Sequence, residues 1–186
     1  MIKKLLHAEI LNERLTPEQA VNAVRNPVSL VLVNIRSLYN VGSIFRTSDA
    51  TLIEELILCG YTPKPPRAEI EKTALGADKT VPWKYFKYPG EAVDYLKSKN
   101  SKVFALEITD RKRDYKSIKP DEFPAGFLLG NELTGLDNDL LNICDDALEI
   151  PMYGVKHSLN VSVAAGIITF EAVGIWKNRL VPDPII

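Results

Sequence analysis

Apolar residues run along this 186-residue chain in short blocks separated by polar stretches with helical spacing. From Val28 to Val33 only Ser29 interrupts the block, the pattern of a strand covered on both faces. Similar runs predict further strands at Glu55–Cys59, Lys102–Leu106, Gly126–Gly130 and Ala147–Ile150. Between them, Asn40–Thr51, Glu91–Lys99 and Leu136–Cys144 read as helices, and Ser158–Lys177 as a long one. Pro63, Pro65 and Pro66 make Tyr61–Arg67 a loop, and Asp110–Lys119 is a polar connection. Ahead of Pro27, Thr16 is placed to cap a short helix, with Pro17 at its first position and Gln19 completing a capping box. Residues 1–26 therefore read as a helical extension and 27–186 as the main domain. Strands alternating with helices give an α/β fold, a mostly parallel sheet flanked by helices.

Composition narrows the function classes. With 46% hydrophobic and 25% charged residues, the chain fits one globular domain able to bury a core without disulfide staples. Lys and Arg total 23 against 24 Asp and Glu, so the net charge of −1 argues against non-specific polyanion binding and leaves room for a local basic site. The two cysteines, Cys59 and Cys144, sit singly in apolar segments, which suits buried thiols in a reducing compartment. No run reaches the roughly 18 apolar residues of a membrane span. The N-terminus lacks an apolar core and a small-residue cleavage site. A cytoplasmic protein away from membranes is expected.

Ligands of parallel sheets bind beyond the carboxyl ends of the strands. Three segments rich in Gly, Asn and charge follow strands in that way: 34–46, 130–135 and 151–160. In the first, Asn40 is a credible helix cap, Gly42 permits a close approach, and Arg46 follows within two turns. A plainer alternative pairs Arg46 with Asp49 or Glu132. In the second, Gly130-Asn131-Glu132-Leu133-Thr134-Gly135 sets a carboxylate between glycines at a site edge, or simply a solvated Glu in a turn. In the third, Ser158 or Asn160 caps a helix whose first residues, Val161 and Val163 to Ile167, are apolar on nearly all sides and so expected to be buried.

Taken together these segments resemble the three motifs of the SpoU family of RNA methyltransferases within the SPOUT superfamily. The matching residues are Asn40, Gly42 and Arg46; Leu129 to Gly135; and Ile150 to Ile167, with Lys72 to Trp83 also similar. The likeness covers about Val28 to Lys177. It implies a C-terminal trefoil knot, which no pattern in the sequence would suggest. It also implies S-adenosyl-L-methionine as cofactor and a ribose 2′-hydroxyl in RNA as acceptor. Carried over by position, the cofactor loops are Leu106, Glu107, Ile108 and Thr109; Gly130, Asn131 and Glu132; Ile150 and Met152; and Ser158 and Leu159. The same resemblance gives Arg46 the central catalytic part, Asn40 its positioning, and Glu132, Ser158 and Asn160 supporting roles. A guanidinium stays protonated, so stabilising an alkoxide or clamping a phosphate suits Arg46 better than removing a proton. No metal is required, and His7 and His157 are too isolated to suggest one.

Family members are dimers with the active site at the interface. The small residues Ala164, Ala165 and Gly166 and the apolar Phe170, Val173 and Trp176 suit such an interface and an ordinary core equally. Two other readings compete. A catalytically silent RNA-binding module would not need the full polar set. A hydrolase using Ser158 and His157 would ask adjacent residues to face each other, and the sequence has no G-x-S-x-G elbow. RNA contacts could come from Lys64, Arg67, Lys72, Lys79, Lys84 and Lys87, or from Arg111, Lys112, Arg113, Lys116 and Lys119. Tyr39, Tyr61 and Tyr153 could stack on a base. The short N-terminal extension and the tail Leu180–Ile186 resemble the small tRNA-modifying members, which favours tRNA over ribosomal RNA.

Overall fold

A computed structural model describes residues 2–179, except for the side chains of His7 and Ala8; the tail Leu180–Ile186 lies outside the described residues. The chain runs α1 (His7–Asn12), α2 (Pro17–Asn22), β1 (Asn26–Val33), α3 (Leu38–Ala50), β2 (Ile53–Cys59), α4 (Ala68–Ala74) and α5 (Ala77–Thr80). It continues through β3 (Trp83–Phe86), α6 (Pro89–Ser98), β4 (Lys102–Leu106), β5 (Ala125–Leu129), α7 (Asn138–Ile143), β6 (Asp146–Leu148) and α8 (Val161–Asn178). Among the described residues, six strands form one sheet in the order β3-β2-β1-β5-β4-β6. Every neighbouring pair is parallel. The chain moves outward from β1 through β2 and β3, then crosses to the other half, and β5 returns to pair with β1. Beside that switch between β1 and β5 lies a crevice at the carboxyl ends of β5, β4 and β6.

Side chains of β1 alternate between the two faces, as the pleat requires. Val28, Leu30 and Leu32 join α3, α4, α5 and α8 in one core layer, with Phe45, Phe104 and Phe127 fully buried there. Val31 and Val33 face the other layer, beneath Ala92, Val93 and Leu96 of α6 and Leu140 of α7. The strand runs were legible because burial on both faces leaves no room for polar residues. Among the described residues, no helix is long and apolar enough to cross a membrane.

Several expectations need correction. Asn40 is not the cap of α3: Ser37 is, its Oγ accepting from the Asn40 backbone N–H at 3.3 Å, so the helix begins three residues earlier than its apolar face suggests. Of the two caps expected for α8, Asn160 is the one used, its side chain accepting from the Ser162 N–H at 2.9 Å, so the helix starts three residues later than Ser158. The last strand stops at Leu148, which frees Glu149 and Ile150 for the crevice. The start of α8 is not buried all round: Val163 is 49% and Phe170 59% exposed, leaving an apolar face uncovered. Cys59 is buried as expected, whereas Cys144 is only half-buried. The Thr16 cap, with Pro17 and Gln19, is as predicted.

Candidate functional site

The crevice holds a cavity of about 470 Å³ at the carboxyl ends of β4, β5 and β6, closed by the segment that leads into α8. Its shape begins with two glycines. A Cβ on Gly130 would run into the backbone of Gly135, and one on Gly135 would strike the Glu107 carboxylate. Gly135 also adopts a φ of 66°, which favours glycine. The loop between them is wound around Asn131. The Asn131 Oδ1 accepts from the N–H groups of Leu133 and Thr134 at 2.8 and 3.1 Å. Its Nδ2 donates to the Asn34 carbonyl at 2.8 Å and to the Tyr61 hydroxyl at 2.7 Å. One buried amide thus ties this loop to the end of β1 and to the segment after β2.

Glu132 joins the loop to the first motif. Its carboxylate accepts from the backbone N–H groups of Arg36 and Ser37 and from the Asn40 side-chain amide, the last at 3.2 Å. Burial opposes its ionisation, yet its own N–H and these donors outweigh burial and hold the carboxyl below the usual carboxylate range. Glu132 is therefore an ionised anchor and a poor proton acceptor. The relay continues as Asn160 donates through Nδ2 to Asn40 Oδ1 at 3.2 Å, while Asn160 Oδ1 takes both the N–H and the hydroxyl of Ser162. Asn40, Glu132 and Asn160, one from each motif, form a single hydrogen-bonded unit.

Nearly all the residues predicted for the cofactor line the cavity: Leu106, Glu107, Ile108, Gly130, Asn131, Glu132, Ile150, Met152, Ser158 and Leu159. Thr109 does not; its hydroxyl accepts from the Arg111 N–H in the loop beyond β4. Arg46 is also absent. It lines a second hollow of about 420 Å³ between α3, α4 and α8, together with Lys72 and Phe170. Six residues beyond Asn40 on a helix means about 9 Å of rise and roughly 240° of rotation, so the two side chains leave α3 in different directions. The pairing of Arg46 with Asp49 or Glu132 is not formed. Asp49 accepts from the Thr80 hydroxyl at 2.7 Å, and Arg46 joins none of the ion pairs among the described residues.

Three carboxylates, Glu107, Glu132 and Glu149, line the cavity together with His157, and among the described residues no Lys or Arg does. Glu107 is satisfied by the N–H groups of Ile108 and Leu136 at 2.9 and 3.1 Å. Glu149 differs, because its Oε2 is buried without a hydrogen-bond partner. Ser48 and Asp78 hold similar orphan oxygens, but neither lines this cavity. An anionic hollow with leucine, isoleucine and methionine walls and an unmatched acceptor fits a cationic ligand that has an apolar ring and polar hydrogens. A sulfonium nucleoside such as S-adenosylmethionine has those features.

The sequence reading passed over Glu149, placing it inside the last strand, and Ser37, Ser162 and the bracing role of Tyr61. Ser162 stood within the third motif, and Tyr61 stood out only as an aromatic near the motif loops. Glu149 carried no signal, because its significance lies in what its carboxylate lacks. The basic patches also divide. Lys84 binds Glu55 at 3.2 Å, Arg111 binds Asp146 at 3.2 Å, and Arg113 binds Glu122 and Asp146 at 2.7 and 3.0 Å, so these cations are committed internally.

Comparison with known proteins bears on this geometry. Residues 27–170 match the SpoU rRNA Methylase family. The chain is 31% identical over 155 residues to the tRNA (guanosine(18)-2'-O)-methyltransferase of Thermus thermophilus, across 83% of this chain and 78% of that protein. Its fold is similar to that of the A. aeolicus TrmH/SpoU tRNA modifying enzyme, with a TM-score of 0.78, 27% identity and coverage of 91% of this chain and 86% of that one. An AdoMet-bound rRNA methyltransferase from Sinorhizobium meliloti gives a TM-score of 0.75 and 27% identity over 90% of this chain, which spans 62% of that protein's length.

Proposed function

The chain belongs to the SpoU family, and from that premise we propose that it methylates a ribose 2′-hydroxyl of RNA, with S-adenosyl-L-methionine as cofactor and tRNA as substrate. The observation that carries this reading is the apolar-walled cavity with three carboxylates and no Lys or Arg among the described residues, built from the second and third motifs and tied to the first through Glu132 and Asn40. The Thermus and Aquifex relatives support tRNA, and the Sinorhizobium neighbour supports the cofactor. The same neighbour keeps ribosomal RNA as the second reading. Bacterial tRNA-modifying relatives support a cytoplasmic place for the protein. Residues 27–186 form the methyltransferase domain in this reading, with the family's knot, and residues 1–26 a helical extension.

When bound, the cofactor supplies a methyl group on a positively charged sulfur, open to in-line displacement. The loops at Leu106 to Ile108, Gly130 to Glu132, Ile150 and Met152, and Ser158 to Leu159 would hold it. Asn40, Glu132 and Asn160 keep the start of α3 fixed against the cavity wall. Ser158, in that wall, orients the cofactor or the acceptor ribose. Arg46 keeps its own proton and stabilises the negative charge that develops at the 2′-oxygen, or grips the adjacent phosphate; in either role the hydroxyl proton passes to that phosphate or to solvent.

Arg46 and the cavity lie in different hollows of one chain, so the working site needs a second copy. The uncovered face of α8, with Val163 and Phe170, supports a homodimer that brings the two hollows together. The test is incubation with labelled cofactor and separate pools of unmodified tRNA and ribosomal RNA, followed by digestion to nucleosides. Label is expected in a 2′-O-methylated nucleoside from tRNA, and Arg46→Ala should lower it by at least about 100-fold, the scale of losing a charge-stabilising donor. Cofactor binding with no label in either pool would overturn the enzyme reading in favour of a silent RNA-binding module.

A further inference from the structure

The hollow around Arg46 has an electrostatic character opposite to that of the cofactor cavity. Arg46 on α3 and Lys72 on α4 line it beside the side chains of Ser43, Thr47 and Thr73, and among the described residues no carboxylate does. Neither cation takes part in an ion pair among the described residues. The nearest acid of α3 in sequence, Asp49, is engaged by the Thr80 hydroxyl. A chain of net charge −1 has thus left two unneutralised cations in one concavity.

Their proximity is built into the packing. Gly42 faces Ile70 and Thr73 of α4, and a Cβ there would collide with the Ile70 carbonyl and the Thr73 hydroxyl. The Thr73 hydroxyl in turn donates to the Tyr39 carbonyl in the first turn of α3 at 3.1 Å. This close approach sets Lys72 beside the turn of α3 that carries Ser43, Arg46 and Thr47. Two cations with hydroxyls in a concave surface free of acids make a site for a phosphate group.

We infer that this hollow grips a phosphodiester of the substrate RNA, with Lys72 as the second cation beside Arg46. The inference rests on the RNA methyltransferase reading and adds to it a substrate contact outside the cofactor cavity. Lys72 is a binding residue here, because it carries charge to the backbone and has no part in the methyl transfer.

The test measures affinity for the methylated RNA pool across a salt series for wild type, Lys72→Ala and Lys72→Arg, with calorimetry of S-adenosylmethionine binding alongside. Loss of one phosphate contact should reduce the slope of log affinity against log salt by about 0.7 to 0.9. The KM for RNA should rise about tenfold in Lys72→Ala with kcat held within about twofold, and Lys72→Arg should restore most of the affinity. Cofactor affinity should not change. A wild type that labels RNA while Lys72→Ala keeps the full salt slope and KM overturns the inference and leaves the functional reading standing. Altered oligomeric mass in Lys72→Ala with an unchanged slope would also overturn it, by making the hollow a contact between copies. Failure of the wild type to bind or label either RNA pool overturns the functional reading itself.

Discussion

At Glu149, folding leaves a carboxylate oxygen buried with no donor beside the cavity, while its backbone N–H and carbonyl are both engaged by Arg113 and Tyr115. Such an orphan costs about 1–3 kcal/mol in the free protein. Glu149→Leu is therefore expected to keep or raise the thermal midpoint without cofactor. The affinity for S-adenosylmethionine should fall about tenfold, because a donor on the ligand loses its acceptor. Parallel thermal melts with and without cofactor decide it, and a lower midpoint with unchanged affinity would make Glu149 structural. Single residues were unevenly legible. Asn40, Glu132 and Asn160 could be named from their motifs, but which of them cap, anchor or relay depends on contacts spanning up to 120 positions, as between Asn40 and Asn160. The place of Arg46 was illegible for a different reason: its spacing turns it away from Asn40, but the hollow it enters is made by α4 and α8, whose packing against α3 no local pattern encodes.

Among the elements, those buried on both faces were read within a residue or two, β4 without error. The elements missed were α4, α5 and β3. The first two are short helices, and β3 is an edge strand whose residues Trp83–Phe86 are all partly or fully exposed, so no apolar run marks it. That edge is held by a polar cluster instead. Glu55 on β2, nearly inaccessible at 3% exposure, accepts from Lys84, Tyr95 and Lys99, and Lys99 also binds Glu54. Burial opposes the charge on Glu55, but these donors prevail and hold its carboxyl below the usual carboxylate range. Burial likewise opposes the charge on Lys99, and its two carboxylate partners prevail and raise its ammonium above the usual lysine range. A depressed carboxyl stabilises the fold fully above its unfolded value near about 4.3, and this is lost as pH falls through the folded value. A raised ammonium stabilises fully below about 10.4, and this is lost as pH rises through its folded value. Glu55→Gln should thus cost about 2 kcal/mol at pH 7, less than a fully buried pair because Lys99 is about one-third exposed. The difference from wild type should shrink as acid unfolding begins, and denaturant melts between pH 3 and 8 would show it. A constant difference across that range would assign the loss to packing.

For the molecule as a whole, a net charge of −1 conceals two hollows of opposite sign, one lined by three carboxylates and the other by two cations. Composition could not reveal this, because charge averaged over the chain says nothing about where the fold collects it. The separation of Arg46 from the cavity has a consequence for inheritance. If each working site draws its arginine from one copy and its cofactor loops from the other, two differently broken chains can repair each other. An Arg46→Ala chain mixed one to one with a Ser158→Trp chain, whose indole fills the cavity, would form mixed dimers half the time. Each mixed dimer would hold one whole site and one doubly damaged site, returning about a quarter of wild-type activity from two inactive parents. No recovery on mixing, with subunit exchange verified by mass, would place both parts of the site within one copy. With shared sites, two defective alleles of this gene complement in one cell: a chain defective at Arg46 is rescued by one defective in its cofactor loops and not by another defective at Arg46.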